Sequence, residues 1–185
     1  MYIIAIILIQ ILNNMSSFII SDLHFGHENL CRNLRGMSAE ENDALLIQRW
    51  NNVVNKRDKV WILGDITLDK PELIKRIIPQ LHGFKEVILG NHDTPRCVKA
   101  LIECGCKVSA YEKEHNLLLT HIPIHPSQLF DIEGNVHGHI HLGEHFSAID
   151  DERYYNVNCE LHNYTPIPFE VIDQYYQNLK LNKNE

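Results

Sequence analysis

Five times along this chain a short strand-like run ends in a cluster of Asp, Asn or His. The runs lie at residues 18–21, 60–63, 87–89, 117–120 and 135–137. The clusters at or after their ends are Asp22-Leu23-His24, Gly64-Asp65, Gly90-Asn91-His92-Asp93, Thr120-His121 and Gly138-His139-Ile140-His141. Brief apolar runs closed by Gly, Asp and Asn read as buried strands. Helical patterns fall between them. Ser38 reads as an N-cap with Glu41 as its capping-box partner, and the helix that follows puts Leu46, Trp50 and Val53 on one face. Pro71 suits the first turn of a helix running to about residue 81, and a short helix follows Pro95. Residues 154–159 and 167–172 read as further strands, and a polar tail closes the chain. Strand–helix alternation predicts an α/β fold. In such sheets ligands bind beyond the carboxyl ends of the strands, where the clusters fall.

The chain's 185 residues suit one domain, and 44% hydrophobic content supports a buried core. Residues 15–185 read as that single domain. Residues 1–14 read as an apolar extension, with Met15 as the functional start; an added edge strand or helix is the alternative. Residues 2–12 carry no charge. They are too few to span a bilayer, which takes about 20 apolar residues, and they lack the basic start and small-residue cleavage site of a signal peptide. Five cysteines, Cys31, Cys97, Cys104, Cys106 and Cys159, form no CxxC pair. That argues against a thiolate zinc site and a disulfide scaffold, and for a reducing cytoplasmic setting. Cys104 and Cys106 flank Gly105 as turn and strand-edge residues. With 17 basic and 24 acidic residues the net charge is −7, the wrong sign for tight duplex-DNA binding.

The composition also includes 12 histidines, and histidine is the commonest metal ligand. Each cluster alone is weak, since a DxH or GD pair is mostly turn chemistry. As a set at successive strand ends they converge on one sheet edge. Side chains two apart, as in Asp22/His24 and His139/His141, point the same way on extended backbone. The set then supplies ligands for two metal ions with one carboxylate between them. Imidazole with carboxylate and amide oxygen suits manganese, iron, zinc or cobalt rather than calcium. Two ions about 3.5–4 Å apart form a clamp for in-line displacement at phosphorus.

The ordered blocks DxH, GD, GNHD, H and GHxH, spanning Asp22 to His141, resemble the signature of the calcineurin-like metallophosphoesterase superfamily. The wording Ser21-Asp22-Leu23-His24-Phe25-Gly26-His27 with Asn135-Val136-His137-Gly138-His139-Ile140-His141 is most similar to the small single-domain bacterial and phage members. The resemblance implies a four-layer fold, two β-sheets packed as a sandwich and flanked by helices. It implies that Asp22, His24, Asp65 and His141 hold one divalent ion and that Asp65, Asn91, His121 and His139 hold the other, with Asp65 as bridge. Manganese comes first among the metals, with iron, zinc, cobalt or nickel as alternatives. It further implies attack by a hydroxide shared between the ions, His92 as general acid to the leaving oxygen, and Asp93 orienting His92. For Asp93 a helix N-terminal role is the alternative.

Other residues are open at this level. His27 lies near the site and either touches phosphate or packs. Arg32 and Arg35 either grip phosphate or are solvated charges on a loop or short helix, the second being favoured. His125 reads as a rim residue, and His137 as a supporting or buried strand residue. His82, His115, His145 and His162 read as surface or structural, with His162 and Asn158 as outer candidates for the pocket. The functional expectation is a hydrolase for a small or nucleotide-type phosphodiester, with no membrane partner. Phosphomonoesterase, a non-catalytic binding module on the same fold, and a nuclease are the alternatives. The small size leaves little room for the added parts of a DNA-repair nuclease.

Overall fold

A computed structural model describes residues 15–143 and 149–182. Residues 1–14 and His145 lie outside the described residues. The strands are β1 (Ser17–Ile20), β2 (Lys59–Leu63), β3 (Phe84–Ile88), β4 (Lys107–Ser109), β5 (Glu112–Glu114), β6 (Leu117–Leu119), β7 (Gly134–His137), β8 (Tyr154–Asn156) and β9 (Ile167–Pro168). The longer helices are α1 (Ala39–Val53), α2 (Pro71–Ile77), α3 (Pro95–Glu103) and α4 (Phe169–Asn182). Two sheets form, in the orders β4-β3-β2-β1-β9 and β5-β6-β7-β8. Strands β1 to β4 pair in parallel, as do β6, β7 and β8, while β9 and β5 are antiparallel edges.

The central strands bury both faces, so alternate residues serve two cores. Phe18, Ile20, Val60, Ile62 and Val87 face one cluster, completed by Leu46 and Trp50 of α1, Leu73, Ile74 and Ile77 of α2, and Cys97, Ala100 and Leu101 of α3. Ile19, Trp61, Leu63 and Ile88 face a second cluster, shared with Leu117 and Leu119 of β6, Val136 of β7 and Phe169, Ile172 and Tyr176 of α4. The result is the expected α/β sandwich of two sheets with flanking helices. Its parallel strands send their carboxyl ends to one rim, and an isolated bridge from Ser21 to Asn158 ties the two sheets there.

The capping box at Ser38 and Glu41 forms as expected. The apolar face of α1 runs through Leu46, Trp50 and Val54, however, and Val53 is exposed. The i+4 spacing tracks the core where the i+3 step turns away. The helix from Pro71 gives way to a 3₁₀ turn at Ile78–Gln80. The strand expected over 167–172 is two residues long, and α4 begins at Phe169. Phe169, Ile172 and Tyr176 recur at i, i+3 and i+7, a helical period that buries all three against the inter-sheet core. The expected polar tail is therefore largely helix. Strands β4 and β5 were not expected, being short and charged.

Candidate metal centre

All five clusters meet on the shared rim. Asp22 and His24 follow β1, Asp65 follows β2, Asn91 and His92 follow β3, His121 follows β6, and His139 and His141 follow β7. The backbone that presents them is not extended. Asp22, His24, Asp65 and His139 have φ of 58°, 48°, 54° and 69°. This corrects the expectation that residues two apart share a direction through strand geometry. Asp and His enter the left-handed region more readily than other non-glycine residues, and such conformations persist where surrounding structure over-determines them. Here the constraints are specific. His139 N–H donates to both Asp22 oxygens at 3.1 and 2.9 Å. His24 N–H donates to Asp65 O at 3.0 Å, and Asp22 N–H to Gly64 O at 3.1 Å.

Two glycines are required by close approach. A Cβ on Gly90 would lie 2.3 Å from Asp65 Oδ1 and 2.5 Å from Asp65 N. A Cβ on Gly138 would lie 2.4 Å from Ser21 Oγ and 2.5 Å from Asp22 Oδ2. The two carboxylates therefore press against backbone that no side chain can share.

Two groups of donors could each hold a metal ion: Asp22, His24 and His141, and Asp65, His121 and His139. Within each group the ligand atoms lie within 4.8 Å of one another. In the first, His24 Nε2 is 3.2 Å from His141 Nε2, and the two imidazoles are 3.9 and 3.7 Å from Asp22 Oδ1. In the second, His121 Nε2 is 3.3 Å from Asp65 Oδ2 and 3.0 Å from Asn91 Oδ1. Asp65 Oδ2 is also 3.7 Å from His24 Nε2, so one carboxylate oxygen faces both groups.

The donor chemistry fits cations. His121 Nδ1 lies 2.7 Å from Leu63 O, and a carbonyl only accepts, so Nδ1 carries a proton and Nε2 is the nitrogen turned toward Asp65. His141 Nδ1 lies 2.8 Å from Glu160 Oε1, with the same consequence at its Nε2. Among the described residues His24 Nδ1 is buried without a partner. Imidazole nitrogens and carboxylate oxygens thus converge on two points, a donor set that suits a divalent cation.

Electrostatics follow from that crowding. Burial raises the Asp22 carboxyl above its usual range despite the imidazoles and Ser21 Oγ beside it. Burial pushes Asp65 the same way, but its bond with His121 and the surrounding imidazoles outweigh it and hold the group at about 2. Burial and neighbouring positive groups lower His24, with Asp65 opposing. His139 falls through burial and the adjacent His121. For His121 burial acts downward, yet its bond to Asp65 and the fields of Asp22 and Asp65 raise it.

His92 sits at the rim, its side chain 37% exposed, with Nε2 3.8 Å from Asp65 Oδ2 and its N–H donating to Asp65 Oδ1 at 3.0 Å. The expectation that Asp93 orients His92 gives way. Asp93 Oδ2 accepts from Asp65 N and Gly90 N at 3.0 and 2.8 Å, and Oδ1 from Ile66 N at 3.2 Å. Its carboxylate splints the loops after β2 and β3 to each other.

Arg35 is neither a phosphate contact nor a solvated charge. It is buried, and its guanidinium donates to Glu160 Oε1, Leu23 O, Asn42 Oδ1 and Asp22 O at 2.9, 3.1, 2.7 and 2.7 Å. Four of five donors are engaged beneath the site and the side chain is 0% exposed, so the guanidinium is not offered to a ligand at the rim. Arg32 pairs with Glu28 on the surface. His27 caps the short helix Glu28–Leu30 through Nδ1, and its ring lies 5.5 Å from that of His24, at the site's edge.

The remaining histidines divide as follows. Asn158 is fully buried and its Nδ2 is 3.3 Å from His141 Nδ1, whereas His162 stacks on Tyr155 and meets Asn156 O. His137 is buried, bonds Gly138 O at 2.8 Å, and burial lowers it to about 4. His125 caps a 3₁₀ turn, His115 pairs with Asp173, and His82 meets Val54 O. Glu160 is the residue that sequence reasoning missed. Its local signal is faint, an acidic residue in a 3₁₀ turn capped by Asn158.

No family model matches the chain. Over 164 residues it is 32% identical to the uncharacterized protein MJ1445 of Methanocaldococcus jannaschii, covering 84% of this chain and 88% of that protein. The chain belongs to the MJ1445 family. A structure of a protein of unknown function from Aquifex aeolicus, AQ665, matches this MJ1445-family fold with a TM-score of 0.71 and 27% identity, over 87% of this chain and 99% of the other. A shorter stretch of 86 residues is 44% identical to the Gene 66 protein of Mycobacterium phage L5, spanning 40% of this chain and 38% of that protein.

Proposed function

We propose that this chain is a dinuclear-metal phosphoester hydrolase of the calcineurin-like metallophosphoesterase type, acting on a small or nucleotide-type phosphodiester. The observation that carries the reading is Asp65 Oδ2, which faces His121 Nε2 at 3.3 Å and His24 Nε2 at 3.7 Å and so joins two donor groups at one point. Asp22, His24 and His141 with Asp65 would hold one ion, and Asp65, Asn91, His121 and His139 the other. When bound, a pair of divalent ions supplies Lewis acidity toward phosphoryl oxygens and lowers the pKa of water. Manganese is the first choice, and iron, zinc, cobalt and nickel also suit the donors.

The chain's own residues do the rest. The rim position of His92 suits it to give a proton to the leaving oxygen. Asp93 keeps the loops carrying Asp65 and His92 in register. His27 borders the same opening. The net charge of −7 disfavours a duplex polyanion and leaves a small phosphoester as the substrate class. Five free cysteines accord with a reducing cytoplasmic location, and no helix among the described residues is long and apolar enough to cross a membrane.

The deciding experiment compares hydrolysis of bis-p-nitrophenyl phosphate and p-nitrophenyl phosphate by metal-stripped protein, with and without manganese. Asp65→Asn serves as control. Manganese-dependent turnover of the diester, lost in the variant, is the expected result. Preference for the monoester would move the activity to phosphatase chemistry. No turnover of either, with two ions bound, would favour a binding module on this fold.

A further inference from the structure

Beneath the first donor group lies a buried ion pair that the proposed reaction does not use. Glu160 Oε1 accepts from Arg35 Nε at 2.9 Å and from His141 Nδ1 at 2.8 Å, and Oε2 accepts from Leu142 N–H at 3.0 Å. The Glu160 and Arg35 side chains are 3% and 0% exposed. Arg35 goes on to donate to the main-chain oxygens of Asp22 and Leu23, the two peptide carbonyls between Asp22 and His24. Asn158 anchors the arrangement from below, its Oδ1 accepting from Glu160 N–H at 3.0 Å. A single salt bridge therefore reaches the backbone of Asp22 and Leu23, which leads into His24, and the ring of His141.

In the second donor group Asp93 braces the backbone at Asp65, but among the described residues no carboxylate meets the Nδ1 of His121. His121 is steadied by Leu63 O, a neutral acceptor. His141 is steadied by a carboxylate. An anionic acceptor on Nδ1–H holds the tautomer more firmly and makes Nε2 a stronger donor than a carbonyl does. The cost of burying the ion pair is offset by the hydrogen bonds around it, four from Arg35 and three to the Glu160 carboxylate.

We propose that Glu160, braced by Arg35, is a positioning residue for the Asp22–His24–His141 group, fixing His141 with Nε2 toward the site and making this the tighter of the two ion sites. The inference rests on reading that group as a metal site. Arg35 sits in a π-helical turn, Cys31–Arg35, that follows Glu28–Leu30 directly. Such widened turns occur often at functional sites, and this one swings the guanidinium under the rim.

The test uses the full chain and Glu160→Gln, which keeps shape and removes charge. Manganese titration by calorimetry, with bound metal counted, should show two ions on the wild type. The variant should lose about 10–100-fold in affinity at one site and keep the other. Nitrogen NMR of the metal-free proteins reads the His141 tautomer without any ion present. The wild type should show Nδ1 protonated, and the variant a mixture. Equal affinities at both sites and an unchanged tautomer would overturn the proposal while leaving the two-metal reading standing. A wild type that binds no manganese would overturn both. Should Glu160→Gln fail to fold, Glu160→Asp, which keeps the charge toward Arg35 and withdraws it from His141, is judged by the same two readouts.

Discussion

Single side chains at the rim divide between holding ions and moving protons, and substitution separates the two. His92→Asn should bind two ions as the wild type does, because His92 belongs to neither donor group. Turnover should fall about 10²–10⁴-fold, the usual worth of a general acid. The fall should be steeper for an alkyl diester than for nitrophenyl leaving groups, which need little protonation. Equal losses on both would refute the acid role. His137 makes a different kind of prediction. Burial holds it at about 4 in the folded protein, against 6.5 when free. The unfolded chain binds that proton first, so stability is whole above pH 6.5 and falls as pH drops toward 4, by up to about 3 kcal/mol. Unfolding of metal-free protein followed across that range should show the slope, and His137→Asn should flatten it by about one proton. At this scale the donors were legible, because each lies in a short motif at a strand end. Arg35 and Glu160 were not, since 125 positions separate them and only folding brings the pair together.

Turns rather than regular elements carry the site. The loop after β3 passes so close to the loop after β2 that Gly90 has no space for a side chain. Gly90→Ala should therefore displace Asp65 and weaken both ions together while helices and sheets remain. Circular dichroism unchanged beside metal loss at both sites would bear this out; full metal retention would refute it. Strands and helices were largely readable from apolar runs, Pro71, Pro95 and the Ser38–Glu41 capping box. The largest departure is at the C-terminal end. Residues 167–172 satisfy strand and helix patterns alike, and contact of Phe169, Ile172 and Tyr176 with the inter-sheet core decides for helix. The left-handed turns at Asp22, His24, Asp65 and His139 were hidden for a related reason. Asp and His tolerate that region without demanding it, so only the packed rim imposes it.

For the molecule as a whole, binding at the rim should couple to global stability, because the ligands come from the ends of both sheets. Two ions held at about 100 times their dissociation constants would each add about 2.7 kcal/mol. Chelation should then lower the melting temperature by roughly 10 °C or more. Calorimetry with and without a chelator measures it, and an unchanged midpoint would argue that the rim holds no ion in the native protein. The division between chain and fold follows from distance along the sequence. Local pattern was enough to mark the α/β class, the strand ends and the five polar clusters, since each depends on neighbours a few residues away, and the family resemblance named seven candidate donors among them. Tertiary structure alone decided how Asp65 Oδ2 comes to lie 3.3 Å from His121 Nε2 and 3.7 Å from His24 Nε2, that Asp93 splints two loops rather than orienting His92, and that Arg35 and Glu160 lie beneath the site rather than at its mouth. Those outcomes depend on two sheets packing with their carboxyl ends on one rim. That packing is set by the alternation of Ile19, Trp61 and Leu63 against Phe18, Val60 and Ile62 across two cores, and by no motif in the chain.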